Sequence, residues 1–146
     1  MSVQIEVSRV IDRSVDKVFD FLAREHVRNH PRWDPDIELE QASDGPMGVG
    51  IVFKRRHSRS GTPVEGTMEV VEFEPDRAFG TVIHDGPVEM RGRTTFQPLG
   101  DNRTRITISV ELPGMDESSV DRDFLTGRME RSVRNMKQLI EAEVPE

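Results

Sequence analysis

Cysteine is absent from this sequence, and its absence removes several kinds of chemistry at once. The chain cannot form disulfides, carry a thiolate nucleophile or bind zinc through cysteine ligands. This composition fits a reducing compartment, so we expect a cytoplasmic protein. Tyrosine is absent as well, and tryptophan occurs once, at Trp33.

Long apolar runs are also missing, and acidic residues outnumber basic ones by 27 to 20. No segment approaches the roughly 18 apolar residues that a membrane span requires, and the N-terminus lacks the basic and apolar regions of a secretory signal. The formal net charge is −7, which repels phosphate backbones and anionic membrane surfaces. We therefore expect no membrane span and no nucleic acid partner.

What the chain does contain is alternating apolar residues and turn signals, in 146 residues that suffice for one hydrophobic core. We find no repeats or linkers and predict a single domain over residues 1–146. Alternation predicts a strand over residues 3–11. Ser14 then offers an N-cap for a first helix, and a second short helix over residues 25–29 should end before Pro31.

Six more predicted strands follow from Ile37 onward, bounded by glycine, proline or aspartate. Ser60-Gly61 turns the chain between two of them, and Asp85-Gly86 is a strong signal for a two-residue hairpin loop. A long helix, capped near Ser118, closes the chain. Its apolar residues recur every three or four positions and are Val120, Phe124, Leu125, Met129, Val133, Met136 and Ile140.

Sequential hairpins predict an antiparallel sheet, and a sheet of about seven strands tends to curl. A single amphipathic helix covers one face of such a sheet and cannot fill its concave side completely. The predicted fold is therefore α+β of the helix-grip type. It has a curved antiparallel sheet of about seven strands wrapped around a long C-terminal helix, two short helices after the first strand, and a cavity between the layers.

Three segments, together with the order of the elements, are similar to those of a known superfamily. They are residues 14–22 in the first helix, 29–35 around the tryptophan and 48–53 at the head of the third strand, which read SVDKVFDFL, NHPRWDP and GVGIVF. The chain resembles the START-like (SRPBCC) superfamily, specifically small bacterial proteins of the polyketide cyclase/dehydrase type. The resemblance implies a cavity that binds lipids, polyketides, sterols or other apolar small molecules, and some members catalyse cyclisation or dehydration.

The inward faces of the predicted strands and of the long helix give the candidate ligand-binding residues. Together with Trp33, which the resemblance places near the cavity entrance, they are Phe53, Arg55, His57, Met68, Thr81, Ile83, Met90, Phe96, Phe124 and Met129. The alternative is that these side chains only pack the core. A register slip of one residue would also bring Val82 and His84 inward instead of their neighbours.

Arg55 and His57 are the candidates best suited to chemistry, because they continue the inward face of Ile51 and Phe53. In a cavity, the arginine could bind a carboxylate or stabilise an enolate, and the histidine could act as a general base. The alternative is a solvated strand end over residues 54–59.

His26 and His30 stand at the spacing with which two histidines chelate a metal on a helix. Pro31 follows directly, however, and no clear third ligand presents itself. We therefore assign no metal site, and we expect no cofactor.

Three functions remain open. The first is a module that binds a hydrophobic or amphipathic small molecule, such as a lipid or polyketide. The second is a polyketide cyclase or dehydratase that uses Arg55 and His57 in the same cavity, although the chain lacks the tyrosine that some cyclases are thought to use. The third is a ligand-free regulatory or stress-related interaction protein, for which an apolar homodimer surface is expected.

Overall fold

Seven strands form one antiparallel sheet in the computed structural model, which describes residues 2–59 and 62–146. They are β1 (Ser2–Ile11), β2 (Ile37–Gln41), β3 (Val52–Arg59), β4 (Thr62–Glu74), β5 (Ala78–Asp85), β6 (Val88–Pro98) and β7 (Thr104–Pro113). Their order across the sheet is β1-β7-β6-β5-β4-β3-β2, so each consecutive pair from β2 to β7 is a hairpin. The predicted antiparallel sheet is confirmed, whereas the turn predicted at Ser60-Gly61 lies outside the described residues.

The helices are α1 (Val15–Phe19), α2 (His26–Trp33) and α3 (Arg122–Glu143). A π-helical turn, Asp20–Arg24, joins α1 to α2, and a 3-10 turn, Glu117–Ser119, precedes α3. This arrangement confirms the predicted helix-grip fold, with two short helices after the first strand and one long helix at the end. In the described part of the chain, no helix is both long and apolar enough to cross a membrane.

The long helix buries one side against the concave face of the sheet. Val133, Met136 and Ile140 are at most 6% exposed and share one apolar cluster with strand residues such as Val7 and Ile106. These three helix positions step by three and four residues, as the sequence pattern predicts. The C-terminal half of α3 therefore packs the core, and the N-terminal half is left to border the remaining space.

The second helix is longer than the sequence predicts. Pro31 disfavours helical backbone at the residue before it and removes one main-chain hydrogen bond, so the sequence predicts an end near Asn29. The helix instead continues to Trp33, and the Asp34 backbone N–H donates to the His30 carbonyl at 3.0 Å. Trp33 is only 3% exposed, and burial of its large ring outweighs one missing hydrogen bond.

The long helix begins later than the sequence predicts. Its N-cap is Asp121, whose carboxylate accepts a hydrogen bond from the Phe124 backbone N–H at 3.0 Å. Ser118, the predicted cap, lies inside the 3-10 turn that Asp116 caps. Both aspartates satisfy backbone donors that a helix start leaves unpaired.

The hairpin between β5 and β6 is shifted by one residue from its predicted position. Asp85 still pairs with Val88 in the sheet, so the two-residue loop consists of Gly86 and Pro87. Gly86 has a φ of +62°, a backbone conformation that suits glycine. The shift moves Asp85 out of the loop and into the last position of β5.

Candidate functional site

A cavity of about 210 Å³ lies between the concave face of the sheet, α2 and the N-terminal half of α3. Most of its wall is apolar and consists of Leu22, Met68, Phe79, Ile83, Met90, Phe96, Ile108, Val110, Leu125, Met129 and Met136. Methionine side chains are flexible and polarisable, so they adapt to apolar molecules of varied shape. The cavity predicted from one helix on a curled sheet is present.

Nine of the eleven candidate residues lie in this cavity wall: Trp33, Arg55, His57, Met68, Thr81, Ile83, Met90, Phe96 and Met129. The register of β5 is the predicted one, because Thr81 is 7% exposed and His84 is exposed to solvent. The same alternation buries Arg55 and His57 on β3, while Lys54 and Arg56 are exposed, so residues 54–57 are not a solvated strand end.

Phe53 and Phe124 lie elsewhere. Phe53 is fully buried behind the cavity wall, with its ring 6.3 Å from the His26 ring. Phe124 is 60% exposed, so its predicted place in the wall is wrong. Neighbouring helical positions are rotated by about 100° around the axis, and only Leu125 of this pair can face the cavity.

Gly92 forms part of the cavity wall because it has no side chain. It lies between Thr81 of β5 and Val110 of β7 in one row across the sheet. A Cβ atom added at Gly92 would lie 3.3 Å from the Thr81 hydroxyl oxygen, which faces the cavity. A larger residue at this position would occupy cavity space.

A charged cluster of Arg55, Asp85 and His57 forms the polar part of the sheet side. Arg55 Nε lies 3.1 Å from Asp85 Oδ1, and His57 Nε2 lies 2.9 Å from Asp85 Oδ2. All three side chains are at most 8% exposed. A carboxylate paired with arginine only accepts hydrogen bonds, so Nε2 of His57 carries the hydrogen of this contact.

Gly66 makes the charged cluster sterically feasible. It pairs with Arg55 on one side and with Asp85 on the other, so it stands between the two charged residues. A Cβ at Gly66 would lie 2.3 Å from Asp85 Oδ1 and 2.2 Å from the His84 carbonyl oxygen. The Asp85 carboxylate therefore occupies the space that any other residue at position 66 would fill.

On the helical side, two carbonyls near the end of the π-helical turn accept hydrogen bonds from side chains of α2. His26 Nδ1 lies 2.8 Å from the Leu22 carbonyl oxygen, and Asn29 Nδ2 donates to the Phe21 carbonyl at 3.0 Å. Carbonyls at a helix end require such partners when they are buried. The hydrogen bond between His26 Nδ1 and the Leu22 carbonyl fixes the orientation of the His26 ring within the wall.

His26 and His30 form a hydrogen-bonded pair rather than facing a common ion. His30 Nδ1 lies 2.9 Å from His26 Nε2, and the His30 ring stacks on Trp33 with centroids 5.2 Å apart. Burial, together with the nearby Arg55 charge, lowers the pKa of His26 to about 4 against the opposing effect of the Leu22 carbonyl. Burial also lowers the pKa of His30 well below its usual value, assisted by His26 and Arg55.

Asp34 and Arg128 border the cavity where α2 ends beside α3. Arg128 Nη2 lies 3.7 Å from Asp34 Oδ2, and Arg131 Nη2 lies 3.7 Å from Asp34 Oδ1. Oδ1 of Asp34 is buried without a hydrogen bond. Among residues 2–59 and 62–146, no group of three or more histidine, aspartate or glutamate side chains is arranged to hold a metal ion.

Residues 2–141 match the family model described as polyketide cyclase / dehydrase and lipid transport. The chain belongs to this family. The match covers nearly the whole chain and confirms the resemblance drawn from the sequence. No curated protein matches the chain in sequence.

Solved structures show the same fold at low sequence identity. A START superfamily protein from Mycobacterium smegmatis has a TM-score of 0.74 at 11% identity, over 95% of this chain and 97% of that one. The Zhui aromatase/cyclase from Streptomyces sp. R1128 has a TM-score of 0.71 at 15% identity, over 98% and 93%. Norcoclaurine synthase from Thalictrum flavum, in complex with dopamine and hydroxybenzaldehyde, has a TM-score of 0.74 at 15% identity, over 100% and 90%.

Within this family fold, sequence reasoning missed several polar groups of the site. The Asp-Gly pair predicts a turn residue at Asp85, although an aspartate at the inward end of a strand beside an inward arginine is a detectable signal. The spacing of His26 and His30 correctly placed them together, but it did not predict that they bond to each other. Gly66 gave no signal, because its role depends on the register of three strands.

Proposed function

We propose that this protein binds a small hydrophobic or amphipathic molecule, such as a lipid or polyketide fragment, in the cavity between the sheet and the helices. The observation that carries the proposal is the cavity itself, whose wall is mostly apolar and includes polar side chains from the sheet and from the helices. This combination is typical of small-molecule sites. Membership of a family described by polyketide cyclases and lipid transport agrees with it.

The size of the cavity limits the ligand. Its volume of about 210 Å³ exceeds the roughly 150 Å³ of an engineered cavity that binds benzene. It is smaller than the roughly 300–1,000 Å³ typical of sites for drug-sized ligands. We therefore expect a molecule with one or two rings, or the corresponding part of a longer chain, to occupy it.

Equilibrium dialysis against 2-methoxynaphthalene tests this proposal, because the probe is apolar, has two rings and carries no hydrogen-bond donor. The wild-type protein should bind it. Gly92→Val should weaken binding by about tenfold or more, because the added side chain occupies cavity space. Gly127→Ala is the matched control, since Gly127 is exposed on α3 and its new Cβ would meet nothing within 4 Å. A wild-type protein that does not bind, or a Gly92→Val variant that binds equally well, would refute the proposal.

The charged cluster favours a second candidate, an enzyme of the cyclase or dehydratase type. Asp85 accepts the Nε2 hydrogen of His57, which leaves Nδ1 as the basic nitrogen. This nitrogen could remove a proton from the carbon next to a ketone, while the neighbouring Arg55 stabilises the enolate oxygen. The C–H bond breaks, its two electrons form the enolate, and the proton moves to Nδ1 of His57.

Deuterium exchange into 2-acetylnaphthalene in heavy water tests this candidate. The protein should accelerate exchange of the methyl protons, and His57→Gln should reduce the acceleration by about 100-fold. His84→Gln is the control, because His84 is exposed on the opposite face of β5. Equal rates with and without protein would rule out this chemistry for the cluster.

A further inference from the structure

The histidine pair on the helical side has no part in the proposed chemistry. Its hydrogen bonds form a continuous chain in which each donor points toward the Leu22 carbonyl. The chain of contacts starts at the Leu22 carbonyl, passes through both nitrogens of His26 and ends on Nδ1 of His30. The distances are 2.8 Å and 2.9 Å, so both contacts are hydrogen bonds of ordinary length. Each of these bonds must contain one hydrogen.

A carbonyl oxygen only accepts hydrogen bonds, and this fact assigns every hydrogen in the chain. Nδ1 of His26 must carry the hydrogen that bonds to Leu22. A neutral imidazole has one N–H, so Nε2 of His26 is an acceptor. The hydrogen between the two rings therefore belongs to Nδ1 of His30, and Nε2 of His30 holds a lone pair.

Both rings are neutral near pH 7, which this assignment requires. Burial keeps the pKa of His26 at about 4 and the pKa of His30 well below its usual value. The charged groups in the same cavity wall are Arg55 from β3, Asp34 after α2, Arg93 from β6 and Arg128 from α3. Of these, Arg55 is the one that acts on both histidines, and its positive charge opposes protonation.

The ring of His30 is held in place at the cavity wall. Trp33 stacks on it with an angle of 15° between the planes, and His26 fixes it through Nδ1. His30 itself lines the cavity, and no described residue hydrogen-bonds to its Nε2. The wall thus contains a nitrogen acceptor whose orientation and protonation are set before a ligand enters.

We propose that Nε2 of His30 is a binding group that recognises a hydroxyl or phenol on the ligand. This inference rests on the proposed function, because it names the ligand class for that same cavity. An acceptor of this kind selects a hydrogen-bond donor and gives no advantage to an ether or ketone oxygen. The ligand class is therefore a one- or two-ring apolar molecule that carries a hydroxyl group.

A comparison of two probes measures this recognition directly. 2-Naphthol and 2-methoxynaphthalene share their rings, but only 2-naphthol can donate a hydrogen bond. The ratio of their Kd values should favour 2-naphthol in the wild-type protein and should fall roughly three- to tenfold in His30→Phe. Comparing ratios between the two proteins cancels the intrinsic difference between the probes. The phenylalanine ring retains an aromatic surface against Trp33.

A second variant and a spectroscopic readout cover the case in which His30→Phe does not fold. His30→Gln retains a side-chain acceptor and should retain part of the preference for 2-naphthol. Imidazole ¹⁵N spectra of the wild-type protein should show hydrogen on Nδ1 of both His26 and His30. Hydrogen on Nε2 of His30, or a probe ratio that His30→Phe leaves unchanged, would overturn this inference while binding of the probes still supports the proposed function. Failure of both probes to bind would overturn the two together.

Discussion

The sheet wall and the helical wall of the cavity bury polar groups in two different ways. On the sheet wall, Arg55 and Asp85 keep opposite charges and neutralise each other, with His57 bonded to the same carboxylate. On the helical wall, His26 and His30 stay uncharged. His30 donates a hydrogen bond to His26, and His26 donates one to the Leu22 backbone carbonyl. A polar group in an apolar interior must be paired or neutral, and each wall uses one of these solutions.

This difference predicts different sensitivities. A paired charge depends on its partner, so the sheet wall should respond strongly to removal of one charged group. A neutral histidine depends on remaining unprotonated, so the helical wall should respond to acid. Removal of a charge is therefore the sharpest test of the sheet wall, and a fall in pH is the sharpest test of the helical wall.

Removal of the Asp85 charge should have the largest effect of any single substitution. Asp85→Asn keeps the shape of the side chain but removes the negative charge that faces Arg55, at 3.1 Å in a site at most 8% exposed. We expect the free energy of unfolding to fall by about 3 kcal/mol, the lower end of the range for a broken buried ion pair. Urea denaturation followed by circular dichroism measures this change.

The exposed pair of Glu72 and Arg93 provides the matched control. Its two side chains lie 2.7 Å apart but are 30% and 52% exposed. Glu72→Gln should therefore cost less than about 1 kcal/mol. Equal losses in the two variants would show that burial does not distinguish these pairs.

Most of the sheet wall could be predicted from the sequence. Side chains of a strand alternate between faces, so the apolar Ile51 and Phe53 sufficed to place Arg55 and His57 inward. Asp85 was missed because Asp-Gly is also a typical hairpin sequence, and the real loop lies one residue later. Its approach to Arg55 passes over Gly66, which depends on pairing among three strands and leaves no local pattern.

The helical wall was less predictable, because helix ends and helix faces depend on tertiary contacts. Burial of Trp33 extends α2 beyond the end that Pro31 favours. The spacing of His26 and His30 shows that they share a face, but the Leu22 carbonyl determines which nitrogen of each ring carries the hydrogen. That carbonyl belongs to a π-helical turn, which no separate pattern in the sequence predicts.

Acid should destabilise the protein through the helical wall. Unfolded histidine binds a proton near pH 6.5, whereas folded His26 does so near pH 4. Between these values the unfolded chain holds more protons, so the free energy of unfolding should fall as the pH falls, by roughly 3 kcal/mol for His26. His30 has a lowered pKa as well and should steepen the loss.

The double variant His26→Gln, His30→Phe isolates this contribution. Its free energy of unfolding should depend less on pH between about 6.5 and 4 than that of the wild-type protein. Arg55, Asp34 and Arg128 line the same cavity and are retained in both proteins, so their contributions largely cancel. The slopes come from urea denaturation at a series of pH values. If the free energy of unfolding depended on pH equally in both proteins, the two histidines would not be the source of the acid sensitivity.

Phe124 should give the smallest effect, because it marks where the helical wall ends. Its ring is 60% exposed and lies 6.0 Å from the Arg128 guanidinium. Phe124→Ala loses about 0.5 kcal/mol from that contact and gains a similar amount in helix propensity. We therefore expect the free energy of unfolding to change by less than about 0.5 kcal/mol and binding of 2-methoxynaphthalene to stay the same.

Leu125→Ala, one residue further and in the cavity wall, should instead lower the free energy of unfolding by about 1–2 kcal/mol and alter binding. If Phe124→Ala had a larger effect than Leu125→Ala on either measurement, Phe124 and not Leu125 would face the cavity.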